Sequence, residues 1–409
     1  MTTMLLIEFS PDPEVAARQA EIPASSVIGA RVRIFVRVLL LQFCIFLAAC
    51  GHSTAGISRA GARQQAESLS ALGRKLFFDP ALSRSGKMSC ASCHDPAFAY
   101  GPPAGFPPAE HPGLRAIPSL RYIQAIPQFT EHYFDSEGSG ADNGPTGGLT
   151  WDGRVDRGRD QARIPLLSPD EMANESPDAL VLRLRNAGYA LSFATVLEAL
   201  ETFEQDGREF YPYNSRFDAW LEGKAALTPR EQHGLAVFKD PRKGNCSSCH
   251  TAERGANGTL PQFTDYGFVA LGVPRNPSLP ANADPLYFDL GLCGPLRSDL
   301  REKNEYCGKF MTPSLRNVAT RHTFFHNGGV GTLRDAVRFY AERDIRPLKW
   351  YPAGKFDDLP RKFWPNINNE APFGGRRVLS DNDIDDIVAF LQTLTDGYIS
   401  APGYNSSTR

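Results

Sequence analysis

The chain has 409 residues, 42% of them apolar and 22% charged, with a formal net charge of −2. That length holds two or three domains of ordinary composition, and the near-neutral balance gives no reason to expect nucleic-acid binding or adhesion to an acidic membrane surface. The 32 Pro and 36 Gly predict many turns between short elements and exclude a regular repeat array.

The N-terminal stretch reads as a leader, 1–50. Arg31, Arg33 and Arg37 precede an apolar run from Val38 to Ala49. A basic region, a short apolar region and small residues before a cleavage point make a secretory signal. The run is too short for a membrane-spanning helix, which needs about 20 residues. Its end, Leu47-Ala48-Ala49-Cys50, resembles a bacterial lipobox, in which the Cys is lipidated and becomes the new N-terminus. A plain signal with a chance Cys50 is the alternative. Residues 1–30 are polar, lie upstream of any sensible basic region, and read as a start codon set too early. Residues 51–66 are small and polar and read as a flexible tether.

The first helix is expected in "AESLSALGRKLFFD", where Leu69, Leu72, Leu76 and Phe77 share a face at helical spacing. It leads into "MSCASCH", and "PSLRY" (Pro118–Tyr122) follows. The plan then recurs. "LTPREQHGLAVFKD" has Thr228 as N-cap, Pro229 at the first helical position and Glu231 completing a capping box. It leads into "GNCSSCH", and "PSLRN" (Pro313–Asn317) follows. The chain thus holds two diverged copies of one plan, with the boundary near Glu222–Leu227, giving domains at 67–224 and 225–400. Two more helices are expected. "TLRDAVRFYAER" carries Leu333, Ala336, Val337 and Tyr340 on one face, and "SDNDIDDIVAFLQTL" has Ser380 as N-cap and Asp383 three residues on. No strand alternation runs longer than a few residues, so the expected class is mostly α and loop-rich.

Of eight cysteines, Cys44 lies in the leader and Cys50 is the lipid candidate. Cys293 and Cys307 can close a modest loop, and a disulfide there in an oxidising compartment would contribute ~3 kcal/mol. The remaining four form Cys90-x-x-Cys93-His94 and Cys246-x-x-Cys249-His250. A structural zinc site would need the two pairs ~15–20 residues apart. These lie about 150 apart. A thioredoxin-like redox pair would need a βαβ setting. The His after each pair favours a third chemistry: both thiols add across haem vinyl groups, and the adjacent imidazole reaches the iron. The sequence therefore predicts two covalent c-type haems, with His94 and His250 as proximal ligands, each giving a small helical domain something apolar to pack around.

The two Cys-x-x-Cys-His motifs, "WDGR" (Trp151–Arg154), Gln161, Pro165, Glu171-Met172, "PSLRN", "FFHNG" (Phe325–Gly329) and the "TLRDAVRFY" helix stand in an order that resembles the bacterial di-haem cytochrome c peroxidase/MauG family, over roughly Leu69–Leu394. The resemblance implies two cytochrome c-like domains and a peroxide-reducing enzyme. In it the His94 haem meets peroxide, Glu171 is the acid–base carboxylate, Gln161 and Pro165 line the same pocket, and Trp151 relays electrons between the haems. The second haem takes electrons from a small cytochrome c or cupredoxin. Its second axial ligand falls on Tyr340, as in MauG-type members; Met311 is the rival. The physical logic for Glu171 stands apart from the likeness: splitting an O–O bond needs a proton moved from one oxygen to the other, and one carboxylate near the iron can do both.

Two departures stand out. Classical members block the first iron with a loop His, and His111 stands near the expected place, whereas MauG-type members lack that ligand. The family also binds calcium between its domains. Here its Asn position is Tyr122 and two carbonyl positions fall on Arg321 and Thr323, which puts an intact site in doubt. The acidic loop Phe134–Gly144 is either another ion site or simply solvated. The resemblance further implies a homodimer in many members. Two other functions compete with peroxide reduction: a MauG-like oxidase modifying a partner protein, and a di-haem electron-transfer or sensing cytochrome without turnover. The Gln161/Glu171 pair speaks against the last. The leader predicts a periplasmic address, with a lipid anchor on Cys50.

Overall fold

A computed structural model describes residues 58–105, 113–134, 140–255, 257–352 and 354–399. The leader, Cys44, Cys50 and His111 lie outside the described residues. Residues from Gly61 onward form one compact unit.

The architecture is helical. In chain order come α1 (Arg59–Phe77), α2 (Cys90–Cys93), α3 (Gly158–Leu167), α4 (Pro177–Asn186), α5 (Phe193–Glu204), α6 (Gly207–Phe210), α7 (Arg216–Leu221), α8 (Pro229–Lys239), α9 (Leu333–Glu342), α10 (Pro347–Trp350) and α11 (Asp381–Gln392). Among the described residues the only sheet is one antiparallel pair, β1 (Phe268–Val269) against β2 (Phe310–Met311), with Phe268 opposite Met311. The predicted caps are present. Thr228 accepts from the Glu231 amide while Glu231 reaches back to the Thr228 amide, and Ser380 with Asp383 does the same for α11.

One expectation is corrected. The stretch read as a tether to residue 66 is helical from Arg59. Its Ala, Arg and Gln residues are strong helix formers, and Arg63 pairs with Glu67 one turn on at 2.8 Å.

The repeat seen in sequence is a repeat in space. α1 runs along α5 and α8 along α11, each pair meeting at a glycine. An added Cβ on Gly73 would sit 1.8 Å from the Ala199 carbonyl oxygen, and one on Gly234 would sit 1.9 Å from that of Asp386. Four residues on, Phe77 packs edge-on against Phe203 (5.5 Å), and Phe238 packs the same way against Phe390 (5.2 Å). Two principal apolar clusters result, one spanning Leu76–Phe210 and one Phe217–Leu394. The second begins earlier than the expected domain boundary, because Phe217 of α7 packs against Phe263 and Phe390. A disulfide joins Cys293 to Cys307 inside a smaller cluster with Phe339, Tyr351 and Phe363.

Candidate haem sites

The two "PSLR" segments explain why each motif histidine is held as it is. In the first half, Tyr100 sits in the left-handed region (φ 58°), and its carbonyl accepts from the Leu120 amide and from His94 Nδ1 at 2.9 Å. In the second half, Phe263 (φ 54°) does the same for the Leu315 amide and His250 Nδ1, again at 2.9 Å. The carbonyls of Pro118 and Pro313 face the same two rings. Ser119 and Ser314 tie each segment down by donating to the carbonyls of Ala99 and Gln262. The final residues, Tyr122 and Asn317, both turn the chain at positive φ. Arg316 is anchored by a buried bidentate pair with Asp218 (2.8 and 3.0 Å). The result is a pair of imidazoles whose Nδ1 is occupied, which leaves Nε2 free to ligate an iron.

Burial pushes both histidines down to about 4, so each ring is neutral near neutral pH. Burial pushes the thiols up, Cys90 and Cys246 to about 12 and Cys93 and Cys249 to about 11. A redox-active Cys-x-x-Cys has a depressed thiol pKa; these do not, and neither pair is a disulfide. Among the described residues no three His, Cys, Asp or Glu side chains converge as a metal-binding group. Two protonated thiols beside a neutral imidazole, all opening into one cavity, fit a covalently attached haem on each motif.

That cavity is about 810 Å³ and mainly apolar, near the top of the ~300–1,000 Å³ range of cofactor sites. Cys90, Cys93, His94, Trp151, Gln161, Pro165, Glu171, Cys246, Cys249, His250, Met311 and Tyr340 all line it. Gln161 and Pro165 come from α3, and Glu171 from the turn that follows. Glu171 is an exposed residue by surface area and lines the cavity. Desolvation raises its pKa, opposed by Arg154 and aided by Asp170, and its charge in turn raises that of Cys93.

Trp151 is fixed at both ends. Its indole N–H donates to the Ala116 carbonyl at 2.8 Å, and its own carbonyl accepts from the Met311 amide at 2.9 Å. Beside it Asp152 is fully buried. Burial alone would raise its pKa, but Arg115 (2.7 Å) and Arg154 (2.8 Å) hold it below the usual carboxylate range. Arg115 also grips Asp289 through two bonds, at 2.6 and 2.8 Å. Tyr340 leaves α9 toward the second Cys pair and stacks on Phe373 at 5.4 Å. Burial, then Cys246 and Cys249, push its phenol far above the ordinary range, while Arg343 pulls the other way. Met311 is buried in β2, held by its backbone to Trp151. The Thr323 carbonyl, one oxygen of the calcium site the resemblance implies, accepts from the Arg321 guanidinium at 3.3 Å.

Sequence reasoning passed over two side chains lining this cavity, that of Glu204 and that of Arg321, whose carbonyl alone it considered. Arg321 is half-buried without an acidic partner among the described residues, and it donates to the carbonyls of Ile117 and Thr323. Glu204 closes the apolar face of α5 (Val196, Leu197, Leu200, Phe203); a carboxylate four residues after Leu200 on such a stripe was the available signal.

A helical chain built twice over, with both Cys-x-x-Cys-His motifs opening into a shared cavity, is the arrangement of a di-haem c-type oxidoreductase. The comparisons agree. The model of the di-haem cytochrome c peroxidase family matches residues 67–226. The methylamine utilization protein MauG of Paracoccus denitrificans is 33% identical over 375 residues, covering 83% of this chain and 92% of that protein. Cytochrome c peroxidase Ccp of Escherichia coli is 28% identical, covering 80% of this chain and 58% of that protein. The crystal structure of the diheme peroxidase BthA from Burkholderia thailandensis superposes with a TM-score of 0.71 at 39% identity, covering 80% of this chain and 86% of that one. The chain belongs to the di-haem cytochrome c peroxidase family and is an oxidoreductase.

Proposed function

We propose that the protein reduces hydrogen peroxide at the His94 site with electrons that enter through the His250 site. The observation that carries this reading is Glu171, a carboxylate of raised pKa opening into the cavity beside Cys93, with Gln161 and Pro165 on the same wall. A haem held there by Cys90, Cys93 and His94 would supply electrons for reductive cleavage of the O–O bond. Glu171 takes the proton from one peroxide oxygen and returns it to the departing one. Gln161 supplies a neutral hydrogen-bonding partner that competes for no proton. Trp151, pinned at indole and carbonyl, keeps a rigid aromatic ring in the shared cavity as the relay between the two sites. Electrons come from a small cytochrome c or cupredoxin. The protein works in the periplasm, held to a membrane by a lipid on Cys50, a reading that rests on the leader sequence and that fatty-acid labelling of Cys50 tests. The function itself is tested by peroxide consumption with a reduced small cytochrome. Saturable turnover is the expected result; haem-loaded protein that consumes no peroxide, whether or not it is pre-reduced, overturns the reading.

Tyr340 favours a second reading, a MauG-like oxidase acting on a partner protein. Its phenol faces Cys246 and Cys249, and an anionic oxygen ligand stabilises the higher oxidation states of iron. Tyr340→Phe is expected to change the absorption spectrum of the second haem while Met311→Leu leaves it in place. The reverse pattern would make Met311 the ligand and remove the support for this second reading.

A further inference from the structure

Glu204 is the last residue of α5, a buried carboxyl that the proposed reaction leaves unused. It lines the cavity, its residue surface is 6% exposed, and its Oε2 has no hydrogen-bond partner. Its backbone carbonyl accepts from the Gln124 side chain, and among the described residues no hydrogen bond to its carboxylate is formed. Among the described residues no Arg, Lys or His forms an ion pair with it. Three arginines on the other helices of this half are committed elsewhere: Arg159 of α3 to Glu201 at 2.8 Å, Arg74 of α1 to Glu209, and Arg183 of α4 to Asn174 and Glu175. Two groups act on it electrostatically. Glu201, on its own helix, raises its pKa further, and Cys90 of α2 feels its charge.

A buried carboxyl with no partner is costly to ionise and stays protonated unless something nearby offsets its charge. Burial, with Glu201, pushes this one up to about 8. The variable charge within its reach is the group joined to Cys90. An oxidised iron there carries one more positive charge than a reduced one, and so favours the ionised carboxylate; reduction removes that support.

We propose that Glu204 is a redox-linked proton site of the haem carried by Cys90 and Cys93, its carboxylate taking up one proton from solvent as that haem gains one electron from the donor protein. The electron adds one negative charge, the proton cancels it, and reoxidation returns the proton. This role is separate from that of Glu171, which exchanges its proton with the substrate beside Cys93. It rests on the reading that Cys90 and Cys93 bind haem.

The test is a spectroelectrochemical titration of the matured protein and of Glu204→Gln, an uncharged replacement of nearly the same shape, at a series of pH values on both sides of 8. Haem content is counted separately by the pyridine haemochrome. In the native protein the midpoint potential of the first haem is expected to fall as pH rises above about 8, approaching one proton per electron. In Glu204→Gln that slope disappears. At alkaline pH the reduced-minus-oxidised infrared spectrum gains a carboxylic-acid C=O band that the variant lacks. A native potential independent of pH in this range, or a slope that survives in the variant, overturns the inference, and the first of these outcomes decides the matter even if the variant fails to mature. Two haems per chain with no such slope refutes this inference alone. Fewer than two refutes the reading beneath it as well.

Discussion

Replacing Glu171 with Gln lowers peroxide turnover by ~10²–10⁴-fold while both haems stay attached, because general acid–base help of that size is what one positioned carboxylate contributes. The amide keeps the shape and can still donate a hydrogen bond, but it cannot accept the peroxide proton. The pH profile carries a second signature. Glu171 must be ionised to act as the base, and its pKa lies above the ordinary glutamate value through desolvation. Turnover therefore rises with pH through that raised pKa and falls away on the acid side, and the limb is absent from the variant's residual activity. Unchanged turnover in Glu171→Gln, with two haems per chain, removes this residue from the mechanism.

Gly234→Ala strongly destabilises the second half of the molecule. In an exposed helix the same change would gain ~0.5–1 kcal/mol from propensity. Here the new Cβ would lie 1.9 Å from the Asp386 carbonyl oxygen and 2.5 Å from its carbon, main-chain atoms of α11 that no side-chain rotation can clear. The helices must move apart and loosen the contact between Phe238 and Phe390. Overpacking a tight site costs ~1–3 kcal/mol, and backbone-on-backbone contact belongs at the upper end. The net loss of roughly 2 kcal/mol lowers the melting temperature of the matured protein by several degrees. Gly73→Ala meets the Ala199 carbonyl oxygen at 1.8 Å and loosens the first half in the same way. Gly375→Ala, with open space around the added carbon, is the control and leaves the melting temperature in place. Equal melting temperatures for all three variants would show that neither crossing is as tight as described.

How much of this was legible in the sequence depends on where the information lies. Helix starts were readable because a cap is local chemistry: Thr228-Pro229-x-Glu231 and Ser380-x-x-Asp383 satisfy their own amides within four residues. The repeat was readable because its two copies share a word, "PSLR". What that word does was not, since its meaning lies in a carbonyl on a distant residue, Tyr100 or Phe263, that serves a leucine amide and a histidine at once. α3, α4 and α5 went unassigned: Pro165 interrupts α3, and the short α4 and α5 lie in a stretch read mainly for its chemistry-bearing residues. The extension of α1 back to Arg59 was missed because small and polar residues suit a tether and a helix equally. The residues that line the shared cavity divide in the same way. The cysteines, His94, His250, Trp151, Gln161, Glu171 and Tyr340 announced themselves through an ordered family pattern. Glu204 and the Arg321 side chain did not, because a charged residue looks solvated until the fold turns it toward a cavity.

The most direct test of the account is the intact mass of the chain after maturation in a host that attaches c-type haem. Two haem adducts per chain, mapped by proteolysis to Cys90/Cys93 and Cys246/Cys249, is the predicted result. One adduct or none, or thiols at either pair still free to alkylate, would contradict it.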